Sequence, residues 1–142
     1  MNMTFPGLFL FFVAATTFAP YVVAEESLYD RMGGAPVLAR VVDELMQLNR
    51  TDPRISRSFQ KISVKRFRKT LIEQLCTIAG GPCQYAGDDM KSVHGGLDIT
   101  DAEFNRLVEN LVTALNGNGV GLREKNELLK LLAPMKRDIV TK

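Results

Sequence analysis

His94 is the only histidine in the chain, and two cysteines, Cys76 and Cys83, precede it. These are the side chains whose types allow metal binding or nucleophilic chemistry. One histidine with two cysteines does not make a four-ligand zinc set at a usual spacing, and the chain has no H-E-x-x-H string and no glycine-rich phosphate loop. A nucleophilic pair of Cys83 with His94 lacks an identifiable orienting group. The chemistry therefore centres on one imidazole.

A neutral imidazole in an apolar pocket can act as the axial ligand of a haem iron, with its second ring nitrogen held by a backbone carbonyl or a water. The segments around His94 are rich in Phe, Leu, Val and Met at helical spacing, which suits a flat apolar porphyrin. Composition and spacing alone also allow an ordinary core or surface histidine. Neither cysteine lies in a C-x-x-C-H string, so covalent c-type haem attachment has no support.

The segments that must position His94 are all predicted to be helical. Apolar residues recur at helical spacing, strand-like alternation is lacking, and Thr100 with Glu103 forms a capping-box pattern. We predict long helices over residues 36–49, 63–79, 100–116 and 122–140, the last kinked at Pro134, and short helical segments at 27–32, 52–59 and 90–94. The sequence thus predicts an all-α domain.

The N-terminal 24 residues carry no charged side chain and contain an apolar run from Leu8 to Ala15, followed by the small-residue site Val22-Val23-Ala24. This pattern is typical of a secretory signal peptide with cleavage after Ala24. The segment is also nearly long enough to span a bilayer, so an uncleaved membrane anchor is the alternative. We expect a folded domain over residues 25–142 in an exported, periplasmic protein, or in one held at the membrane by residues 1–24.

Export would place Cys76 and Cys83 in an oxidising compartment. Cys76 is predicted near the end of a helix, and Cys83 follows the helix break at Gly80-Gly81-Pro82. Their Cα atoms can therefore come within the roughly 7 Å that a disulfide allows. Two free thiols packed as small hydrophobic side chains are the alternative, and the sequence leaves both open.

The charge distribution does not indicate a binding partner. Lys and Arg total 18 and Asp and Glu total 16, which gives a formal net charge of +2 spread along the chain. Nucleic-acid binding requires a concentrated basic surface, so we expect no nucleic-acid partner.

From about Ser27 to Val140 the chain resembles the group I truncated haemoglobins. The matching pieces come in the family's order and nearly its spacing: Leu28-Tyr29 with Gly33-Gly34, Asp52-Pro53, Phe59, Gly80-Gly81-Pro82, Tyr85-Ala86-Gly87, Met90 to His94, Gly96 to Thr100, Phe104 and Leu132-Ala133-Pro134. The resemblance implies a truncated globin fold, a two-over-two α-helical sandwich around haem b, and the binding of O₂ or another diatomic ligand such as NO or CO.

The resemblance also implies roles for individual residues. His94 matches the proximal iron ligand. Tyr85 and Lys91 match positions where a phenol or an ammonium can satisfy the haem propionates. The remaining expected haem contacts are apolar and lie along most of the domain: Phe59, Phe67, Leu71, Met90, Val93, Ile99, Phe104 and Leu111.

The distal side departs from the family pattern. Met46 stands where many members carry a tyrosine, Leu71 stands where they often carry a glutamine, and Phe67 faces the ligand nearby. None of these side chains donates a hydrogen bond to bound O₂. A lost bond of about 1.5 to 3 kcal/mol predicts roughly ten- to a hundredfold weaker retention of O₂. CO and NO should be affected less.

Two functions follow from such a distal side. The first is a five-coordinate haem protein that binds a diatomic gas. The second is an electron-transfer module with a redox partner protein, in which the Met46 thioether gives a His/Met haem. The family possibility of NO dioxygenase activity is disfavoured by the missing donors, and a cofactor-free helical binding module is a third alternative. Gas binding is the primary prediction.

Overall fold

The computed structural model describes residues 25–142, which form seven α-helices and two 3-10 turns without a β-strand. The helices are α1 (Leu28–Arg31), α2 (Gly34–Thr51), α3 (Val64–Ile78), α4 (Met90–His94), α5 (Asp101–Gly117), α6 (Leu122–Leu132) and α7 (Lys136–Ile139), with 3-10 turns at Ser56–Phe59 and Ala133–Met135. The predicted all-α domain is confirmed. The predicted signal or anchor segment lies outside the described residues. Within residues 25–142, no helix combines the length and the apolar character needed to cross a membrane.

Helix α2 lies at the centre of the hydrophobic core. It packs against α3 and α5, while α1 contacts both α2 and α6. The buried face of α2 follows the predicted helical spacing and consists of Leu38, Val41, Val42, Leu45, Met46 and Asn49. Burial of each aliphatic side chain on this face contributes about 1.5 to 3 kcal/mol to the stability of the domain. The helix begins at Gly34, slightly before the predicted start.

Side-chain caps begin the helices that flank the site. Ser63 accepts a hydrogen bond from a backbone N–H in the first turn of α3, and Asp89 does the same for α4. Thr100 and Glu103 form the predicted capping box of α5. A cap contributes about 1 kcal/mol. It matters most for α4, because five residues cannot hold a helical turn without a cap and tertiary packing.

The predicted last helix, kinked at Pro134, agrees with the structure. Residues 122–139 are helical without a gap, as α6, the 3-10 turn at Ala133–Met135 and the short α7. Pro134 has no backbone N–H to donate and its ring disturbs the preceding turn, so the helix tightens to 3-10 geometry there. Helix α7 packs against α4. Leu128 is buried as predicted, whereas the other predicted core residues of this segment are half-buried: Leu129, Leu132, Met135 and Ile139.

A disulfide joins Cys76, at the end of α3, to Cys83 in the loop before α4, with Cα atoms 5.8 Å apart. Cys76 is fully buried, and its backbone carbonyl accepts a hydrogen bond from the N–H of Gly81 at 2.8 Å. A Cβ atom at Gly81 would lie 2.6 Å from the Cys76 Sγ, so the tight turn inside the bridge requires glycine. The bridge fixes the end of α3 to the loop that leads to His94.

Candidate functional site

His94 is half-buried at the end of α4. Its Nδ1 lies 2.8 Å from the backbone carbonyl oxygen of Met90, one helical turn earlier. Because a carbonyl oxygen only accepts, Nδ1 carries the proton and donates, which leaves the lone pair of Nε2 free. This tautomer and this orientation suit an axial ligand of haem iron. Gly96, with a φ of +76°, lets the chain turn away directly after the imidazole.

Two sets of hydrogen bonds fasten the segment that follows His94. The guanidinium of Arg57 donates to the carbonyl oxygens of Leu97 and Asp98 at 3.1 and 2.9 Å. The backbone N–H of Thr141 donates to the carbonyl of Ile99 at 2.9 Å, and the Thr141 hydroxyl accepts from the N–H of Ile99 at 3.1 Å. The first 3-10 turn and the C-terminal residues therefore both hold the loop that positions α4.

Arg57 also forms a two-point ion pair with Glu103, at 2.5 and 2.7 Å. The Glu103 side chain is 12 % exposed and accepts a further bond from the N–H of Thr100 at 3.0 Å. The hydrogen bond from Arg57, followed by those from Thr100, lowers the pKa of Glu103 to about 2. The ionised carboxylate thus links the first 3-10 turn to the start of α5.

Many of the predicted haem contacts are half-buried apolar side chains. Phe59 and Phe67 pack edge to face, with ring centroids 5.7 Å apart and an interplanar angle of 85°. Phe67 and Leu71 also pack against the hydrophobic core. Phe104 on α5 is half-buried as well, and the Lys136 ammonium lies 5.7 Å from its ring centroid. These apolar side chains are neither fully buried nor fully exposed to solvent. They provide the kind of surface that a porphyrin would cover, so they fit a haem ligated by the imidazole.

Other predicted contacts are buried in the protein itself. Met46 and Leu111 belong to the hydrophobic core and are 5 % and 4 % exposed, and Ile99 is 7 % exposed. Met46 lies on α2, which packs against both α3 and α5. Its burial in the hydrophobic core is common for a methionine at helical spacing.

The predicted propionate contacts differ in how they are engaged. The Tyr85 hydroxyl donates to the backbone carbonyl of Asp88 at 2.7 Å, which ties it to its own loop. Burial of the ring, and then the charges of Asp88 and Asp89, raise the pKa of Tyr85. Lys91 is exposed and can extend towards a carboxylate.

Val93 differs from the other predicted apolar haem contacts. It is 45 % exposed and is not among the half-buried apolar side chains.

Gln74 contacts the predicted haem-lining residue Met90 but is not among the site residues predicted from the sequence. Its side-chain Nε2 lies 3.3 Å from the Sδ of Met90 and 3.9 Å from the Sδ of Met135. It follows Phe67 by seven positions and Leu71 by three, so these three side chains share one side of α3. Helical spacing would have predicted that Gln74 shares a face with Phe67 and Leu71. The face was defined by apolar residues alone, so the glutamine was not included.

Comparisons with known proteins agree with this geometry. The model of the bacterial-like globin family matches residues 27–141. A group 1 truncated haemoglobin from Nostoc sp. is 32 % identical over 116 residues, which cover 82 % of this chain and 98 % of that protein. One from Mycolicibacterium paratuberculosis is 33 % identical over 115 residues, which cover 81 % of this chain and 85 % of that protein.

A solved structure supports the same conclusion. The crystal structure of the truncated haemoglobin from Tetrahymena pyriformis, in its Fe(III) form, matches with a TM-score of 0.79 and 25 % identity and covers 82 % of this chain and 100 % of that one. The predicted truncated globin fold, a two-over-two helical sandwich, is confirmed. The chain belongs to the bacterial-like globins as a group 1 truncated haemoglobin, a family whose members bind haem b and, through it, diatomic gases.

Proposed function

We propose that this chain holds haem b through Nε2 of His94 and binds a diatomic gas on the opposite side, where Met46, Phe67 and Leu71 make the pocket apolar. The observation that carries this proposal is the 2.8 Å hydrogen bond between Nδ1 of His94 and the Met90 carbonyl. It leaves Nε2 with an available lone pair. Haem, when bound, supplies an iron with a sixth position for the gas.

The chain's own residues orient the ligand and exclude water. The Met90 carbonyl holds the proton on Nδ1 and so keeps the His94 ring in one tautomer. Hydrogen bonds from Arg57 and Thr141 fix the loop that follows His94, which helps to hold the imidazole in its orientation. Phe59 and Phe67, packed edge to face, would present apolar rings to the haem near the first 3-10 turn and so keep water from it.

Support for electron transfer would have to come from Met46, because a His/Met haem needs its thioether as the second axial ligand. That side chain is 5 % exposed and belongs to the hydrophobic core. Gas binding therefore ranks above a redox module, and a redox partner protein is not required by the proposal.

We propose further that the protein is exported, with residues 1–24 as a signal peptide. The disulfide between Cys76 and Cys83 supports this, because such bonds persist in oxidising compartments and are uncommon in a reducing cytosol. An uncleaved segment would hold the same domain at a membrane instead.

Absorption spectra of the purified protein test the function. The reduced protein under CO should show a Soret band of a CO-bound haem, and titration with haem should reach one equivalent. A protein that takes up no haem, or whose reduced spectrum does not respond to CO, would contradict the proposal.

A further inference from the structure

We propose that Gln74 donates the hydrogen bond that the diatomic ligand of this protein receives. This inference rests on the proposed function and deepens it, because Met46, Phe67 and Leu71 offer no donor. It names the side chain that selects for a ligand able to accept a hydrogen bond.

The amide of Gln74 is poorly satisfied by the protein. The side chain is half-buried, and its amide nitrogen donates to the thioether sulfurs of Met90 and Met135. A glutamine amide carries two N–H donors, whereas thioether sulfur is a weak acceptor. The amide therefore gains free energy when an oxygen acceptor becomes available.

The contact with Met90 joins the two sides of the proposed haem site. Met90 lies one turn before His94 on α4, and its carbonyl holds the imidazole. Gln74 lies on α3 three residues after Leu71, which the resemblance assigns to the distal side. A haem ligated by His94 must lie between the helix that supplies the ligand and the distal helix. Its binding would separate the Gln74 amide from the Met90 sulfur and remove that acceptor.

The amide reaches across to Met90 and Met135, and the tilt of helical side chains shows where it turns once that contact is lost. Side chains of an α-helix tilt towards its N-terminus, so a displaced Gln74 amide would cover the surface of α3 near Leu71, three residues earlier. The neighbours there are apolar, and an amide left without an acceptor in such surroundings is unfavourable. The bound gas is the acceptor that this pocket offers. O₂, which carries more negative charge when bound than CO does, should benefit more.

The experiment compares wild-type protein with Gln74→Met, which keeps the length of the side chain and removes both donors. The matched control is Gln84→Met, at an exposed glutamine in the loop before α4. The infrared C–O stretching frequency is measured on the reduced protein under CO, and the O₂ dissociation rate is measured by ligand replacement. Gln74→Met should raise the stretching frequency and speed O₂ loss by roughly two- to tenfold. Gln84→Met should match wild type in both.

Other outcomes separate this inference from the proposal beneath it. An unchanged stretching frequency and O₂ rate in Gln74→Met would overturn the role of Gln74. Weaker retention of haem by Gln74→Met, with an unchanged C–O frequency in the haem that remains, would also overturn it. That result would identify a group of the haem itself, for example a propionate, as the acceptor. Gln74→Asn, which keeps an amide but shortens its reach, provides a second test and should shift both quantities in the same direction. A wild-type ferrous spectrum in His94→Ala would overturn the proposed function and this inference together.

Discussion

The burial of Met46 and the tautomer of His94 bear on the same question, namely which side chains can reach the iron. His94 presents Nε2 because its Nδ1–H donates a hydrogen bond to the Met90 carbonyl oxygen. Met46 is buried in the hydrophobic core. We expect it to stay part of the apolar pocket without ligating the iron, so that the proposed haem is five-coordinate when no gas is bound.

Replacing Met46 with leucine tests this directly. The substitution conserves side-chain volume, so it should lower stability by less than about 1.5 kcal/mol, which thermal denaturation can measure. The absorption spectrum of the ferrous protein should stay five-coordinate in both proteins. A six-coordinate wild-type spectrum that becomes five-coordinate in Met46→Leu would instead support the electron-transfer function.

Helix α4 and its approach loop show how short elements are held in place. α4 has five residues, begins at the Asp89 cap and packs on α7. The Cys76–Cys83 bridge fixes the loop before it to the end of α3. The disulfide therefore connects α3, on the distal side of the proposed site, to the loop that leads to α4 on the proximal side.

Loss of the bridge should therefore weaken both stability and haem retention. In the chain-entropy model, opening so small a loop costs about 2 to 3 kcal/mol of unfolding free energy. Urea denaturation of Cys76→Ser/Cys83→Ser against wild type measures this cost, and transfer of haem to an acceptor globin measures retention. A thiol reductant should destabilise wild type and leave the double variant unaffected. Equal denaturation midpoints for the two proteins would show that the bridge contributes nothing.

Sequence patterns predicted the elements whose signals are local. The apolar spacing of α2 and the capping box at Thr100 both depend on neighbours within one helix, and the structure has both. The kink at Pro134 follows from the residue itself, whereas the packing of α7 against α4 was not predicted, because it joins segments distant in the chain. The contact of Gln74 with two methionines joins distant segments, and no periodicity reports it.

Across the whole domain, one ion pair connects segments far apart in the chain. Arg57 in the first 3-10 turn binds Glu103 at the start of α5 and the loop that follows α4. Glu103 has a pKa of about 2 in the folded protein, against an ordinary value of 4.5. Because the folded form binds its proton less tightly than the unfolded chain, the carboxylate contributes stability above pH 4.5. That contribution is lost as the pH falls towards about 2.

Acid denaturation of Glu103→Gln should show this dependence. The variant should be less stable than wild type at neutral pH, and the difference should shrink as the pH falls from 4.5 towards about 2. Thermal midpoints measured over a pH series give the comparison. Arg57→Gln, which removes the principal partner of Glu103, should show the same convergence. A difference that stays constant over this interval would contradict the role of the ion pair.

The proposed export predicts which N-terminus the protein has outside the cytosol. Signal peptidase cleavage after Ala24 should leave a protein that starts at Glu25. Mass spectrometry of the intact protein, isolated from its native compartment, measures this. A chain that retains Met1 would contradict cleavage, and recovery of that chain from membranes would support the anchor.

Resonance Raman spectroscopy of the ferrous protein tests the assignment of His94 most directly. The wild-type protein should show an iron–histidine stretching band. His94→Gly should lack this band, and added imidazole should restore an iron–imidazole band, because it replaces the missing side chain in the same cavity. If His94→Gly keeps the wild-type band without imidazole, His94 is not the ligand and the proposed site is wrong.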